Sequence, residues 1–276
     1  MRILAIADLH LDLWHLTRRD PLAALSEIFP TLDALIIVGD LANNPTQNWP
    51  RVFELICRYI DPSKVYIIPG NHDYYGHHLS GDDSLRALAE HAGMNFAQKT
   101  VLELGGVRFL CCTLWTDFDL HGDPHHSMRV AQRAMSDYFE IARSDQDCSN
   151  ILPDDTLAKH QEHLAWLSRE LRSPFDGPTI VATHHCPSLT ALVPEHRLAP
   201  AYGSNLDRLI SISSVDVWLF GHTHLRLHGI AHGTSVLNVS LGCPREVTDN
   251  EITEVMCRGL IDTDVPGLLV NLVAGR

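Results

Sequence analysis

The sequence lacks the cysteine spacing of a disulfide-stapled domain or of a thiolate zinc site. Its 276 residues include seven cysteines, an odd number, and none forms a C-x-x-C pair. A chain of this length with 45% hydrophobic residues can bury a core without covalent staples. We therefore expect reduced cysteines that lie mostly in the core.

Long apolar runs are also missing. No stretch approaches the roughly 18 uninterrupted apolar residues that a membrane helix needs. The opening RILAIADLH is short and ends in Asp8 and His10 instead of small residues, which favours a first strand over an export signal. These features predict a cytoplasmic protein with no membrane partner.

Positive charge is scarce. Lys and Arg number 21 against 34 Asp and Glu, a formal net charge of −13. This balance argues against a long nucleic acid as partner, because such a partner is held through many phosphates. Histidine, by contrast, is abundant, with 18 residues, and it is both the commonest transition-metal ligand and a proton donor near neutral pH.

The first part of the chain reads as strand, helix, strand, helix, strand. Nearly continuous apolar runs at 3–7, 35–38 and 65–68 predict buried parallel strands, with helices between them at 22–29 and 52–60. The polar residues Asp8, Asp40 and Asn71 follow these strands at intervals of 32 and 31 residues. Right-handed crossovers of this length place all three at the carboxyl edge of one sheet.

The rest of the chain continues the mixed pattern. Its apolar runs predict two further helices, at 127–142 and 156–171, and six strands, at 107–113, 179–183, 215–220, 225–231, 235–239 and 267–273. No internal repeat is visible. We predict a single domain over 1–276, with a helical insertion or cap at about 114–178.

Five polar clusters each follow a predicted strand: Asp8-Leu9-His10, Gly39-Asp40, Gly70-Asn71-His72-Asp73, Val181-Ala182-Thr183-His184 and Gly221-His222-Thr223-His224. One residue separates Asp8 from His10, and one separates His222 from His224. At an extended strand end both members of such a pair project to the same side and can hold one ion. Taken singly each cluster is a weak signal, but together they offer carboxylate, amide and imidazole ligands.

In this order the clusters resemble the signature of the calcineurin-like metallophosphoesterase superfamily, D-x-H, G-D, G-N-H-[DE], a strand-terminal H and G-H-x-H. The resemblance spans Asp8 to His224. It implies a mixed α/β fold, a four-layer αββα sandwich of two mixed sheets flanked by helices, with a dinuclear metal site at the carboxyl ends of the strands. It also implies two metal positions that share Asp40: one with Asp8, His10 and His224, the other with Asn71, His184 and His222.

Two assignments near these ligands have alternatives. His184 fits the strand-end pattern better than His185, so His184 is the predicted metal ligand. His185 would then either hydrogen-bond to a ligand or face the cleft. The resemblance makes His72 a catalytic proton donor or a stabiliser of transition-state charge, which Asp73 would orient. The alternative for His72 is a structural hydrogen bond to Asp40 or to its own turn.

The implied activity is hydrolysis of a small-molecule phosphodiester, with the nucleotide type as one candidate, by hydroxide held between two divalent metals. Mn, Fe or Zn suits these ligands. The first alternative is a phosphomonoesterase; a nuclease and a non-catalytic scaffold fit less well.

Several side chains outside the signature remain open. The histidines of two loops either contact substrate or are solvated: His77, His78, His121, His125 and His126. Four aromatic residues either stack on substrate or close the core: Tyr74, Tyr75, Trp115 and Phe118. His160 and His163 are expected on a helix surface, and the segment 114–178 is expected to carry substrate selectivity.

Overall fold

The computed structural model describes residues 1–264. Its strands are β1 (Arg2–Ile6), β2 (Ala34–Val38), β3 (Val65–Ile68), β4 (His77–His78), β5 (Asn95–Phe96), β6 (Thr100–Leu104), β7 (Val107–Cys112), β8 (Ile141–Ala142), β9 (Thr179–Thr183), β10 (Val217–Phe220), β11 (His228–Ala231), β12 (Thr234–Asn238) and β13 (Leu260–Asp262). Its α-helices are α1 (Leu11–Leu16), α2 (Pro45–Ile56), α3 (Asp82–His91), α4 (Pro124–Ala134), α5 (Asp137–Glu140), α6 (Pro153–Arg172), α7 (Ala199–Tyr202), α8 (Asp207–Ser211) and α9 (Ile252–Met256).

Two large sheets organise these elements. The first has the order β13-β1-β2-β3-β5, in which β13 alone is antiparallel. The second has the order β11-β12-β10-β9-β7-β6, with antiparallel strands at its two edges. The parallel strands in the centre of each sheet therefore direct their carboxyl ends to one edge of that sheet.

The strands pack on both faces, which makes the four layers. In β1, Ile3 and Ala5 belong to the apolar core between the sheets, whereas Leu4 and Ile6 pack with the helices of the outer layer. This alternation follows from the two-residue period of a strand. The predicted four-layer mixed α/β fold is confirmed.

Some predicted elements were wrong in type or extent. The expected helix at 22–29 is instead two short 3₁₀ turns, Pro21–Leu25 and Phe29–Thr31, each with a proline in its first turn. α2 begins at Pro45, seven residues before the predicted start at 52. The predicted helix at 127–142 is broken at Met135, whose backbone is extended, and the predicted strand at 267–273 lies outside the described residues.

The segment 114–178 contains α4, α5, β8 and α6. α6 packs against the second sheet, where Leu167 shares an apolar cluster with Leu110 and Val181. The single-domain boundary at 1–276 stays a prediction. Among the helices of residues 1–264, none is both long and apolar enough to cross a membrane.

The expectation for His160 and His163 was wrong. Both are buried on the inner face of α6, with 2% and 1% exposure. The Leu114 backbone N–H donates to His163 Nδ1 at 3.1 Å, and His160 Nδ1 lies 3.1 Å from the Leu114 carbonyl oxygen, to which it donates. The two rings therefore satisfy both polar groups of one residue, Leu114, whose φ of 74° is left-handed.

The cysteines are free, but they are less buried than expected. Cys111, Cys112 and Cys186 are buried, Cys57 and Cys148 are exposed, and the other two, Cys243 and Cys257, are partly exposed. The four aromatic residues whose role was open are buried, with exposures of 2%, 7%, 3% and 1% for Tyr74, Tyr75, Trp115 and Phe118. Their packing closes the core instead of presenting stacking surfaces.

Candidate metal centre

The seven side chains predicted as metal ligands converge at the carboxyl ends of the parallel strands. Asp8, Asp40 and Asn71 follow the neighbouring strands β1, β2 and β3, and His184 and His222 follow β9 and β10. His10 and His224 stand two residues after Asp8 and His222. The carboxylates and the amide are at most 1% exposed, so these polar groups need partners.

One cluster gathers atoms of Asp8, His10, His224 and Asp40. His224 Nε2 lies 3.1 Å from Asp8 Oδ1 and 3.2 Å from His10 Nε2. His10 Nε2 in turn lies 3.7 Å from Asp40 Oδ2. These contacts link two ring nitrogens and two carboxylate oxygens, a set of atoms that suits a cation.

A second cluster gathers atoms of Asn71, His184, His222 and Asp40. Asn71 Oδ1 lies 3.0 Å from His184 Nε2 and 2.9 Å from His222 Nδ1. His184 Nε2 is 3.3 Å from Asp40 Oδ1. The two carboxylate oxygens of Asp40 therefore face different clusters, as a bridging ligand would require.

Hydrogen bonds on the far side orient these groups. His184 Nδ1 donates to the Val38 carbonyl oxygen at 3.0 Å, which leaves Nε2 free for the cluster. His224 Nδ1 lies 2.7 Å from Glu246 Oε2, with the same consequence for its Nε2. Fixing the second ring nitrogen in this way is a regular feature of histidines that bind metals.

The amide of Asn71 is oriented by a residue from the helical segment. Asn71 Nδ2 donates to Asp137 Oδ1 at 2.7 Å, and the Tyr75 hydroxyl donates to the same oxygen at 2.6 Å. Burial raises the pKa of Asp137, while these two donors oppose the rise. Asp137 thereby turns Asn71 Oδ1 toward the second cluster.

Charge in the two clusters is balanced between carboxylates and histidines. Burial opposes ionisation of Asp8, but His224 and His184 outweigh it and lower the Asp8 pKa to about 2. Burial also opposes the charged form of His184, yet Asp40 raises its pKa to about 9. Burial lowers the pKa of His10 to about 4 and that of His222 to about 3, so both rings are neutral at pH 7 and carry a lone pair.

The backbone of the centre is left-handed at five of the seven residues. Their φ angles are 55° for Asp8, 41° for His10, 58° for Asp40, 65° for His222 and 55° for His224. Non-glycine residues rarely adopt this region, and such strain concentrates at functional sites.

Close packing around the ligands explains the glycines of the motifs. A Cβ on Gly39, whose φ is 93°, would lie 2.2 Å from His184 Nδ1. A Cβ on Gly70 would lie 2.1 Å from Asp40 Oδ1. Neither position has room for a side chain.

Asp73 does not orient His72, contrary to the prediction. Its buried carboxylate accepts from the backbone N–H groups of Asp40, Leu41, Ala42 and Gly70 and from Trp49 Nε1, at 2.8–3.2 Å. Burial, reinforced by the charge of Asp40, raises the Asp73 pKa to about 7. Asp73 therefore holds the turn that carries Asp40.

His72 lies beside the two clusters and is oriented by Asn43. Its Nδ1 is 2.8 Å from Asn43 Oδ1, and its Nε2 is 4.0 Å from Asp40 Oδ2. The ring stacks on Tyr75 with centroids 4.1 Å apart, and 30% of the side chain is exposed. The His72 backbone N–H also donates to Asp40 Oδ1, so the structural hydrogen bond and an accessible ring coexist.

The other histidines lie outside both clusters. His185 packs between Trp115 and His222, with ring centroids 5.2 Å and 4.3 Å away, and its Nδ1 faces the Thr113 carbonyl oxygen. His77 Nε2 pairs with Ser84 Oγ and His78 Nε2 with Asp145 Oδ1. His121 Nε2 donates to the Pro194 carbonyl oxygen.

Sequence reasoning missed several contributors: Asn43, Asp137, Ser240, Glu246 and Cys243. The Ser240 hydroxyl donates to Asp8 Oδ2 at 2.6 Å. Cys243 Sγ lies within 4.8 Å of ring nitrogens of both His10 and His224. Only Asn43 had a local signal, because it follows the G-D motif directly; the others come from distant parts of the chain.

A cavity of about 460 Å³ opens onto the centre. His222, His224 and Glu246 form one side of it. The remaining wall is largely apolar and comes from Leu192, Val193, His196, Ala199, Tyr202, Thr223 and Leu225.

The family model for calcineurin-like phosphoesterases matches residues 1–226. The chain belongs to this family. Members use divalent metal ions, and the two clusters supply suitable ligands for them. The chain is thus a metal-dependent phosphoesterase at the level of the family.

Individual relatives of the phosphoesterase are distant. An uncharacterised protein of Acanthamoeba polyphaga mimivirus is 26% identical over 270 residues, covering 89% of this chain and 93% of the relative. A 3′,5′-cyclic-nucleotide phosphodiesterase of Nostoc sp. is 24% identical over 222 residues, covering 79% of this chain and 66% of the relative.

Two solved structures share the fold. A phosphopantetheinyl hydrolase from Mycobacterium tuberculosis has a TM-score of 0.66 at 20% identity, with 88% of this chain and 90% of that chain covered. A dimetal phosphatase from Danio rerio has a TM-score of 0.53 at 15% identity, with 91% and 90% covered. At these identities the likeness concerns the fold alone.

Proposed function

We propose that the protein hydrolyses a small-molecule phosphodiester at a dinuclear metal centre. The observation that carries the proposal is Asp40, whose Oδ1 faces one ligand cluster and whose Oδ2 faces the other. One metal position is assigned to Asp8, His10, Asp40 and His224, and the other to Asp40, Asn71, His184 and His222. Mn, Fe or Zn suits this mixture of imidazole, carboxylate and amide ligands.

A bound pair of divalent cations supplies activation of water and neutralisation of phosphoryl charge. The protein's own contribution is to fix the ligands in place before substrate arrives. Val38, Glu246 and Asp137 hold the second ring nitrogen or the amide of three ligands. This arrangement holds the two ligand clusters beside the ring of His72, whose Nε2 is 4.0 Å from Asp40 Oδ2.

His72 is the proposed proton donor to the leaving oxygen. Asn43 Oδ1 accepts a hydrogen bond from His72 Nδ1–H, and this contact points Nε2 toward the space beside Asp40. The partial exposure of the ring gives it access to a substrate. Asp73 acts as a positioning residue, because it holds the backbone of Asp40.

The cavity beside His222 and His224 supports a substrate with a bulky apolar or aromatic group on the phosphate. Leu192, Val193 and Leu225 offer apolar contact there. The ring of Tyr202 lies nearly parallel to that of His196, at 13° and 5.8 Å. A diester places an organic group on either side of its phosphate, and the phosphodiesterase named among the relatives agrees with this preference.

A phosphomonoesterase of a phosphorylated metabolite is the second candidate, since the same centre can cleave either ester. The net charge of −13 weakens the case for a nuclease, and the complete ligand set weakens that for a scaffold. The cytoplasmic location stays a prediction.

The test compares manganese-loaded protein on bis(p-nitrophenyl) phosphate and p-nitrophenyl phosphate. Faster hydrolysis of the diester, abolished in Asp40→Asn and kept in the exposed control Asp83→Asn, is the expected result. A monoester preference supports the second candidate. Unchanged activity in Asp40→Asn would remove this centre from the reaction.

A further inference from the structure

Three arginines and a histidine surround a depression away from the metal centre. It has a volume of about 230 Å³ and is lined by His126, Arg129, Val130, Arg133, Ala134 and Arg197. All but Arg197 belong to α4; Arg197 comes from the chain just before α7. We call this depression the arginine pocket.

No carboxylate lines the arginine pocket. Within residues 1–264, the arginines that form salt bridges are Arg19, Arg143 and Arg169. Arg129 and Arg133 stand one helical turn apart on α4, a spacing at which like charges repel. The pocket therefore concentrates positive charge without an internal counter-charge.

This concentration is unusual for a chain with 21 cationic side chains and a net charge of −13. Some arginines have donors engaged by the protein, whereas others, such as Arg51 and Arg58, are exposed. Arg108 donates to Thr179 and to the Ser173 carbonyl oxygen, and Arg226 donates to the Leu241 carbonyl oxygen. The guanidinium groups of the pocket make no such hydrogen bond within residues 1–264, and all three line one depression.

The chemistry of the pocket favours a phosphate group. A guanidinium presents several N–H donors in a planar fork that matches two oxygens of a phosphate. Three guanidinium groups around a compact depression fit a dianionic tetrahedral group better than a flat carboxylate or an extended peptide.

The loop that supplies Arg197 also borders the cavity of about 460 Å³ beside His222 and His224. Val193 and His196 line that cavity, and Arg197 is the next residue. Ala199, at the start of α7, lines the cavity as well, and α7 packs against α4. The cavity and the arginine pocket therefore share the segment 193–199 as part of their walls.

We propose that the arginine pocket binds a phosphate group other than the one hydrolysed. That phosphate belongs either to the far end of a substrate with two phosphates or to a separate phosphorylated ligand. Binding itself does not depend on the proposed hydrolysis, so each can fail without the other.

The first experiment is an NMR titration of the zinc-loaded full chain with inorganic phosphate, which follows the arginine Nε–Hε signals. The signals of Arg129, Arg133 and Arg197 should shift and saturate with one dissociation constant. In Arg129→Gln/Arg133→Gln, the dissociation constant for phosphate measured at the Arg197 signal should rise at least about tenfold. The reason is that two charge-assisted hydrogen-bond partners are removed.

The matched control is Arg51→Gln/Arg58→Gln, which removes two exposed arginines elsewhere and the same net charge. It should retain wild-type saturation at Arg197. Glutamine preserves helix propensity, so both double variants should fold. A non-saturating shift in the wild type, or an unchanged Arg197 titration in Arg129→Gln/Arg133→Gln, would overturn the proposal.

Kinetics then identify the source of the phosphate. The substrates are thymidine 5′-(p-nitrophenyl phosphate) and its 3′-phosphorylated derivative, which differ only in the second phosphate. A higher KM of Arg129→Gln/Arg133→Gln for the derivative alone supports a substrate phosphate. Unchanged KM values together with lost phosphate binding support a separate ligand.

Discussion

The protein contains two groups of buried histidines that differ in what their ring nitrogens face. In α6, the rings of His160 and His163 face the peptide of Leu114 and complete its hydrogen bonds. At the strand ends, His10 Nε2 faces His224 Nε2 at 3.2 Å. Burial therefore does not distinguish a structural histidine from a proposed metal ligand; the atom that faces the ring nitrogen does.

The two groups are physically connected. The α6 histidines hold the left-handed backbone of Leu114, next to Trp115. The ring of Trp115 packs on His185, and His185 packs on His222, a proposed metal ligand. The structural group thus supports the wall behind the metal centre without contributing a ligand.

The largest change after loss of Asp40 is expected from His72→Gln. Loss of a proton donor should lower kcat by about 10²–10⁴-fold on a substrate with a poor leaving group. Because His72 is not a metal ligand in this account, metal content should stay at the wild-type value in plasma emission measurements. The fall in kcat should be smaller on a substrate with an activated p-nitrophenolate leaving group. An equal fall in kcat on both substrates would contradict the role of proton donor.

A smaller effect is expected at Asp137, which orients Asn71. Asp137→Ala should weaken metal affinity or activity by about 10–100-fold, as removal of a second-layer partner typically does. Titration of metal-free protein with manganese, followed by activity, measures the loss. Tyr75→Phe, which keeps the ring and removes only the hydroxyl, should lose less. Wild-type metal affinity in Asp137→Ala would show that Asn71 needs no such support.

The smallest effect on the centre is expected at His163. His163→Leu leaves the buried Leu114 N–H without an acceptor and should reduce the free energy of unfolding by about 1–3 kcal/mol in urea titrations. The metal content should not change. Loss of a metal in this variant would contradict the distinction between the two histidine groups.

His163 also gives stability a pH dependence. Burial lowers its pKa to about 3, whereas the unfolded chain has the ordinary value of 6.5. The unfolded state then binds the proton first, so the stabilising contribution is complete above pH 6.5 and declines as the pH falls toward 3. Urea midpoints of metal-free protein should fall less steeply with acidification in His163→Leu than in the wild type.

The sequence was sufficient where structure depends on neighbours in the chain. β9 spans the predicted 179–183, and Asp8, Asp40 and Asn71 reach one sheet edge because crossover units repeat. Prediction from the sequence failed where a contact joins residues that are distant in the chain. Asp137 meets Asn71 across 66 residues, a contact that no local pattern predicts.

The misplacement of His160 and His163 has a different cause. They share the buried face of α6 with Thr156 and Leu167, at helical spacings of three and four residues. Polar residues in such a stripe hide its apolar character, although the spacing itself was readable. The 3₁₀ turns at 21–25 and 29–31 were missed for another reason. Pro21 and Pro30 are compatible with the start of a helix, but they do not determine whether an α-helix or a 3₁₀ helix forms.

The central claim is that Asp40 bridges two cations. A crystal of the manganese-loaded protein, measured with anomalous scattering at the manganese edge, tests it most directly. Two peaks about 3.5–4 Å apart are expected on either side of the Asp40 carboxylate, one beside His10 and one beside Asn71. A single peak, or peaks that do not contact Asp40, would contradict it.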